Sequence, residues 1–213
     1  MKATLLGDTS IPSVGVTVSS LTAALGSDDI EVVSAHETCK GGDFLFALSY
    51  PKVIPEETRC LYDYCFVLHG SSLPEGRGWS PITWQMLDGE TVFTMSLIHM
   101  SEPVDSGEIV AQRKFEIKQN LLFDEVSAVI GHVQADLIGA SLRMTPEQLM
   151  GAKQKGTPSY FGRRSPHDSE IDPHKPLSKQ WDKLRLSDPT RYPSFFSLLG
   201  HKYLLKVERY NED

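Results

Sequence analysis

Val67–Pro81 reads VLHGSSLPEGRGWSP and sets His69 at the end of an apolar run, just before a polar, glycine-rich turn. Asp105 stands in SEPVDS, between two further strand-like runs. A carboxylate beside a histidine orients the imidazole and favours its protonated form. Such a pair can move protons and stabilise a developing oxyanion. If the strand ending at His69 neighbours the strand before Asp105, the two converge at one sheet edge, where parallel α/β sheets collect ligands. The bland alternative stays open. A histidine ending a strand is commonly a satisfied structural group, and Asp before Ser-Gly is ordinary turn chemistry.

The pattern around these residues predicts an α/β fold. KATLLG and IEVVSA read as strands flanking a short helix over Val16–Leu25. FLFALSY and YCFVLH are continuous apolar runs, the signature of strands buried on both faces. Pro55 can open a short helix between them, with Glu56 and Glu57 suited to its first turn. This alternation implies a parallel, doubly wound sheet. TVFTMSLIHM and GEIVAQRKFEI read as two longer strands around the Asp105 loop. Phe123, Val126, Ile130, Val133 and Leu137 recur at helical spacing, predicting a long amphipathic helix to Met144. Beyond Gly151 the chain turns rich in Pro, Lys, Arg and Asp, with short apolar pieces. The expectation is a main domain over 1–150 and a small lobe over 151–213, with a short helix near Ser178–Leu186 and one hairpin.

Bulk properties narrow the function classes. The 213-residue chain carries a formal charge of -7, which disfavours RNA or DNA as a non-specific partner. No apolar run is long enough to span a membrane, and the N-terminus turns polar too soon for a signal peptide. Cys39, Cys60 and Cys65 cannot all pair, which predicts free thiols and a cytoplasmic setting. Their spacing matches no zinc site, so no metal is expected. No G-x-G-x-x-G follows the first strand. A homo-oligomer is compatible with the sequence, which sets no oligomeric state.

HGSSLPEGRGWSPITWQMLDGE, followed by SLIHMSEPVDSGEIVAQ, resembles the folate-dependent formyltransferase family. The family pattern runs Asn-x-His-x-Ser-Leu-Leu-Pro, then Arg-Gly-x-x-Pro and Trp, then Gly-Glu, and later Asp-x-Gly-x-Ile with a Gln. The chain supplies His69, Ser71, Leu73, Pro74, Arg77, Gly78, Pro81, Trp84, Gly89, Glu90, Asp105, Gly107, Ile109 and Gln112 without a gap. The lobe, with YFGRRSPHDSEIDPHKP and YPSFFSLLGHKYLLKV, looks like the sugar-nucleotide N-formyltransferase branch, closest to enzymes formylating UDP-4-amino-4-deoxy-arabinose. The GRGWSP loop looks like a branch linked to pseudaminic-acid-type sugars, which suggests a UDP-linked 4-amino-4,6-dideoxy sugar. The likeness spans Phe44 to Val207. The stretch before it is shorter than the family's usual N-terminal half.

The resemblance implies a Rossmann-like formyltransferase domain with a mostly parallel sheet, plus a small C-terminal lobe. It implies transfer of a formyl group from 10-formyltetrahydrofolate to the primary amine of a nucleotide-linked amino sugar. His69 and Asp105 would be catalytic. The folate would lie against Tyr50, Lys52, Val53, Ile54, Glu102 and Val104, although Pro51 removes one backbone donor. Arg77, Trp79, Tyr160, Phe161, Arg163 and Arg164 would meet the nucleotide sugar, the adjacent arginines suiting a diphosphate. The same arginines could instead pair with Asp168, Glu170 or Asp172, Arg77 could tie its loop to a carboxylate, and Trp79 could be core.

Val67 departs from the pattern, since the family has Asn there and valine donates no hydrogen bond. Losing one preorganised oxyanion donor costs about a hundred- to a thousandfold in rate. Ser71, Ser72 and the Gly70 backbone N–H are the candidate substitutes. Ile98 stands where many members carry a second histidine, and His99 beside it faces the other side of the strand. Two further readings remain: a formyltransferase or hydrolase with another substrate, such as methionyl-tRNA, and a non-catalytic member that binds folate or a sugar nucleotide.

Overall fold

The computed structural model describes residues 2–210; Met1 and residues 211–213, the outer ends of the two expected segments, lie outside it. The chain runs β1 (Ala3–Leu6), α1 (Pro12–Leu25), β2 (Ile30–Val33), β3 (Gly42–Ala47), α2 (Glu56–Arg59) and β4 (Tyr62–His69). It continues through β5 (Arg77–Gly78), α3 (Pro81–Leu87), β6 (Val92–His99), β7 (Ile109–Glu116), α4 (Phe123–Ser141) and α5 (Pro146–Leu149). The final part holds β8 (Tyr160–Phe161), α6 (Trp181–Arg185), β9 (Phe195–Leu198) and β10 (His201–Leu204).

Six strands form one sheet in the order β2-β1-β3-β4-β6-β7. β1 to β4 pair in parallel, and β6 runs antiparallel to both β4 and β7. The sheet is therefore mostly parallel, as expected. It is not doubly wound. Phe44, Phe46, Phe66 and Leu68 pack on one face with Val14 and Leu21 of α1, Ile82 and Met86 of α3, and Val126, Val133 and Leu137 of α4. The opposite face holds Leu6, Leu45, Ala47, Ile54 and Tyr62, with Tyr50, Val67 and Met100 against them, and no residue from a long helix. Among the described residues, the connections from β2 to β3 and from β3 to β4 hold no long helix. They carry a 3-10 turn at His36–Thr38 and the four-residue α2.

Helix ends follow local chemistry. α1 begins at Pro12, earlier than the apolar pattern suggests, because proline suits a first turn whose N–H groups lack partners. Glu125 accepts the Leu122 backbone N–H at 2.9 Å and closes the start of α4. α4 stops at Ser141, short of Met144. The helix expected over Ser178–Leu186 divides into a 3-10 turn at Leu177–Lys179 and α6. The expected hairpin is β9–β10.

Residues beyond Gly151 are stitched to the preceding part of the chain at several points. β5 and β8 pair with Arg77 opposite Tyr160 and Gly78 opposite Phe161. Ile109 bridges Ala152, and the Trp181 indole N–H donates to the Gln119 carbonyl at 2.8 Å.

Candidate active site

His69 is the last residue of β4 and shares its face with Val67. In the β4–β6 register His69 lies opposite Ser96, whereas His99, the end of β6, lies opposite Phe66. The antiparallel turn of β6 therefore carries the following loop away from His69. To meet His69 the loop doubles back, and it does: His69 Nδ1 and Asp105 Oδ1 are 3.5 Å apart, both side chains buried. The two groups meet as expected, but through a folded-back loop rather than through coincident strand ends. Asp105 sits at φ 60°, a left-handed conformation that aspartate tolerates better than most residues.

Four hydrogen bonds hold this arrangement. The Gly78 backbone N–H donates to Asp105 Oδ2 at 2.9 Å. Gln154 Nε2 donates to the Asp105 and Gly107 carbonyls at 2.8 and 2.9 Å. Arg77 Nη2 donates to Gln154 Oε1 at 2.6 Å. Arg77 thus braces the Asp105 loop through Gln154, with Nη1 3.4 Å from the Tyr160 hydroxyl. Nothing in the residue pattern marks Gln154, because its partner loop is distant in sequence.

His69 Nε2 lies 2.8 Å from the Gly76 carbonyl oxygen. A carbonyl only accepts, so Nε2 carries a hydrogen. The loop from Gly70 to Gly78 thereby clasps both members of the pair, one through Gly76 and one through Gly78. Gly76 and Gly78 have φ +71° and +95°, and Phe161 crowds both: a Cβ on Gly76 would lie 2.9 Å from its ring, and one on Gly78 would lie 2.4 Å from its carbonyl oxygen. The E-G-R-G spelling was the available signal for this clasp, as glycines flanking one arginine.

Behind the loop, Gln85 Nε2 donates to the Gly70 carbonyl at 2.9 Å and Ser96 Oγ to the Ser71 carbonyl at 2.6 Å. Gln112, the glutamine of the second motif, donates to Ser96 Oγ at 2.9 Å. Ser71 is buried and its hydroxyl has no hydrogen-bond partner among the described residues, whereas Ser72 is exposed. Val67 lies opposite Ile98 and packs in the apolar cluster with Tyr50 and Met100. His99 is on the other face, its ring centroid 5.0 Å from that of Phe66 and its Nε2 2.7 Å from the Leu149 carbonyl.

The residues expected to meet a folate gather on adjoining loops. Met100, two residues before Glu102, packs in the cluster that holds Tyr50 and Ile54. Arg59 and Glu102 lie 3.5 Å apart and join α2 to the same loop. Val53 and Val104 present exposed apolar side chains at 62% and 57%. Tyr50 is fixed through its hydroxyl, 2.7 Å from His36 Nδ1, and Lys52 approaches Glu37 at 3.9 Å.

The expected sugar-nucleotide residues separate into two groups. Trp79 and Tyr160 are exposed, and Arg163 lies 4.9 Å over the Trp79 ring. Phe161 is instead half-buried against the glycine clasp. Arg164 turns into the lobe, 4.8 Å over Tyr192 with Nη2 3.0 Å from Ser169 Oγ. Burial pulls its pKa below the ordinary guanidinium value, opposed by Asp168. The two arginines therefore do not form one diphosphate clamp in this structure.

A surface cavity of ≈ 330 Å³ lined by Arg59, Cys65, His99 and Met100 contains neither His69 nor Asp105. The three cysteines are free, and burial pushes the Cys65 thiol up to about 12, which disfavours its thiolate.

Residues 5–139 match the family described as Formyl transferase, more than half of the chain. The chain belongs to the formyl transferase family. The match begins well before Phe44, so the short N-terminal part is included in it. A methionyl-tRNA formyltransferase from Clostridium thermocellum superposes with a TM-score of 0.80 at 20% identity, covering 99% of this chain and 94% of that one. A 4-N formyltransferase from Francisella tularensis gives 0.64 at 18% identity, covering 99% and 98%. HypX from Aquifex aeolicus, in complex with tetrahydrofolic acid, gives 0.71 at 17% identity; this chain covers 37% of it, with 97% of its own length matched. At these identities the formyl transferase fold is what the likeness establishes. No helix among the described residues is long and apolar enough to cross a membrane.

Proposed function

We propose that this formyl transferase moves a formyl group from 10-formyltetrahydrofolate to the primary amine of a nucleotide-linked 4-amino sugar, UDP- or dTDP-linked. The observation that carries the reading is the buried His69–Asp105 pair at 3.5 Å, set within a family match that spans both residues. Residues 1–150 are assigned the formyl-transfer chemistry, and the lobe over 151–213 the nucleotide.

The folate fits the two loops on chemistry. A pterin needs apolar walls and backbone hydrogen-bonding groups, and Val53 and Val104 offer exposed apolar side chains. Among the described residues the Lys52 and Val53 backbone N–H groups donate to no internal acceptor. When bound, 10-formyltetrahydrofolate supplies the formyl carbon. His69 Nε2–H then donates to the oxygen that gains negative charge, which requires the Gly76 carbonyl to give way. Asp105 fixes the ring through Nδ1 and relays the proton lost by the attacking amine. Arg163, Trp79 and Tyr160 line the open side where a base and phosphate can lie.

The test is incubation of the purified protein with 10-formyltetrahydrofolate and UDP- or dTDP-linked 4-amino sugars, read by mass for the gain of one formyl group. His69→Asn and Asp105→Asn should each lower turnover at least about a hundredfold. Absence of product with every such sugar would sink the reading. The alternative is a binding protein without catalysis, favoured by one specific observation: His69 Nε2 is taken by the Gly76 carbonyl, and position 67 offers no donor. Folate and sugar-nucleotide binding without turnover would establish it.

A further inference from the structure

We infer that the Ser71 hydroxyl is the oxyanion donor that stands in for the amide missing at Val67. The inference rests on the formyl-transfer reading above. Ser71 is 2% exposed, and its Oγ makes no hydrogen bond among the described residues. A buried hydroxyl without a partner is destabilising, and such groups in a native fold call for an explanation. Here the surroundings supply one.

The hydroxyl packs against Gly76, the residue whose carbonyl His69 contacts. A Cβ built on Gly76 would lie 3.0 Å from Ser71 Cβ and 3.3 Å from Ser71 Oγ. The carbonyl of the same Gly76 receives His69 Nε2 at 2.8 Å. Ser71 and His69 thus both adjoin one side-chain-free residue, Gly76. When the Gly76 carbonyl gives way to a formyl oxygen, both groups can point at it. Ser72 has no such place: it is exposed, and its carbonyl caps the Glu75 N–H at 3.2 Å.

The position is also held from behind. Ser96, fully buried, donates to the Ser71 carbonyl, and Gln112 donates to Ser96. Gln85 pins the preceding Gly70 carbonyl. The backbone of the turn is fixed by side chains from β6, β7 and α3, while the hydroxyl alone is left unbonded. That holds the Ser71 backbone in place as an oxyanion site needs, the Gly76 carbonyl being the group that has to move. No polar group can take over at position 67 itself, since Val67 faces Ile98 and the Tyr50–Met100 cluster. In the step itself Ser71 keeps its proton. The amine nitrogen bonds to the formyl carbon, the oxygen takes the negative charge and accepts from Oγ–H and Nε2–H. The charge then reforms the carbonyl as the folate nitrogen leaves with the proton that Asp105 and His69 relay.

The experiment compares wild type, Ser71→Ala and Ser72→Ala by steady-state formyl transfer and by thermal melting. Ser71→Ala should lower kcat by about a hundredfold or more, with KM for both substrates within about threefold of wild type. Because it removes an unpaired buried hydroxyl, it should also raise Tm by about 2–4 °C. Ser72→Ala should lose less than about tenfold in kcat. A merely structural serine would instead lower Tm along with activity, and that result overturns the inference. So does an active wild type with Ser71→Ala at full kcat, or an equal loss in Ser72→Ala. A folded wild type that forms no product overturns the formyl-transfer reading itself and the Ser71 role with it.

Discussion

Arg163 and Arg164 are adjacent in sequence and do different work in the fold. Arg163 is exposed over Trp79, while Arg164 is packed over Tyr192 and bonded to Ser169. Arg163→Ala should therefore weaken binding of a UDP-linked amino sugar by about tenfold or more, the usual cost of a charge-assisted contact. Its Tm should stay within a degree or so of wild type. Arg164→Ala should do the reverse, lowering Tm by a few degrees with little change in affinity, since it loses a part-buried cation–π contact and a hydrogen bond. Titration calorimetry and melting on the two single variants check this; equal effects on affinity would restore the paired clamp that adjacency suggests. The same contrast shows what was legible at this scale. His69 and Asp105 stand out because their residue types and motif spacing announce chemistry. Gln154, which braces the Asp105 loop, and Ser96, which holds Ser71, are ordinary polar residues whose partners are set only by the folded chain.

The β5–β8 pair is only two residues on each side, yet it holds the loop that clasps the His69–Asp105 pair. The Arg77 and Trp79 N–H groups donate to the Ser159 and Phe161 carbonyls at 2.9 and 3.1 Å, and the Gly76 N–H donates to Ser159 Oγ at 2.8 Å. Gly78 links this clip to Asp105. A Cβ there would sit 2.4 Å from the Phe161 carbonyl at φ +95°, so an alanine can be accommodated only if the strands part. Gly78→Ala should thus release Asp105 Oδ2 from its backbone donor and lower turnover by about tenfold or more, beyond the 1–3 kcal/mol of stability lost to strain. Limited proteolysis should show faster cutting within residues 70–80 and 155–162. A variant with unchanged turnover and cutting would mean the clip does not position Asp105. Elements of this size escape pattern reading, because two residues show no periodicity. The long strands and α4 were legible for the opposite reason. That the second face of the sheet carries no long helix among the described residues was not, since alternation of strands and helices does not reveal on which face the long helices stack.

At the scale of the whole molecule, charge bears on the proposed acceptor as well as the site does. A methionyl-tRNA formyltransferase shares this fold, so the two acceptor classes need separating. RNA binding at micromolar affinity draws on a surface where several Lys or Arg side chains face phosphates together. This chain has 21 Lys and Arg against 28 Asp and Glu. Several of its arginines are already committed: Arg113 pairs with Asp136 at 2.8 Å, Arg191 with Asp188 at 2.6 Å and Arg209 with Glu125 at 2.9 Å, while Arg185 is buried beside Asp182. The exposed Trp79–Tyr160–Arg163 side suits a single nucleotide better than a polyanion, because it offers stacking surface and one exposed guanidinium. In gel-shift titrations at low salt, uncharged and aminoacylated initiator tRNA should therefore show no complex below about 100 μM, the weak end of non-specific binding. In parallel transfer assays methionyl-tRNA should remain unformylated while the nucleotide-linked amino sugar gains its formyl group. A tRNA complex in the micromolar range that weakens steeply with added salt would reverse this order of acceptors, because only several simultaneous phosphate contacts produce that slope.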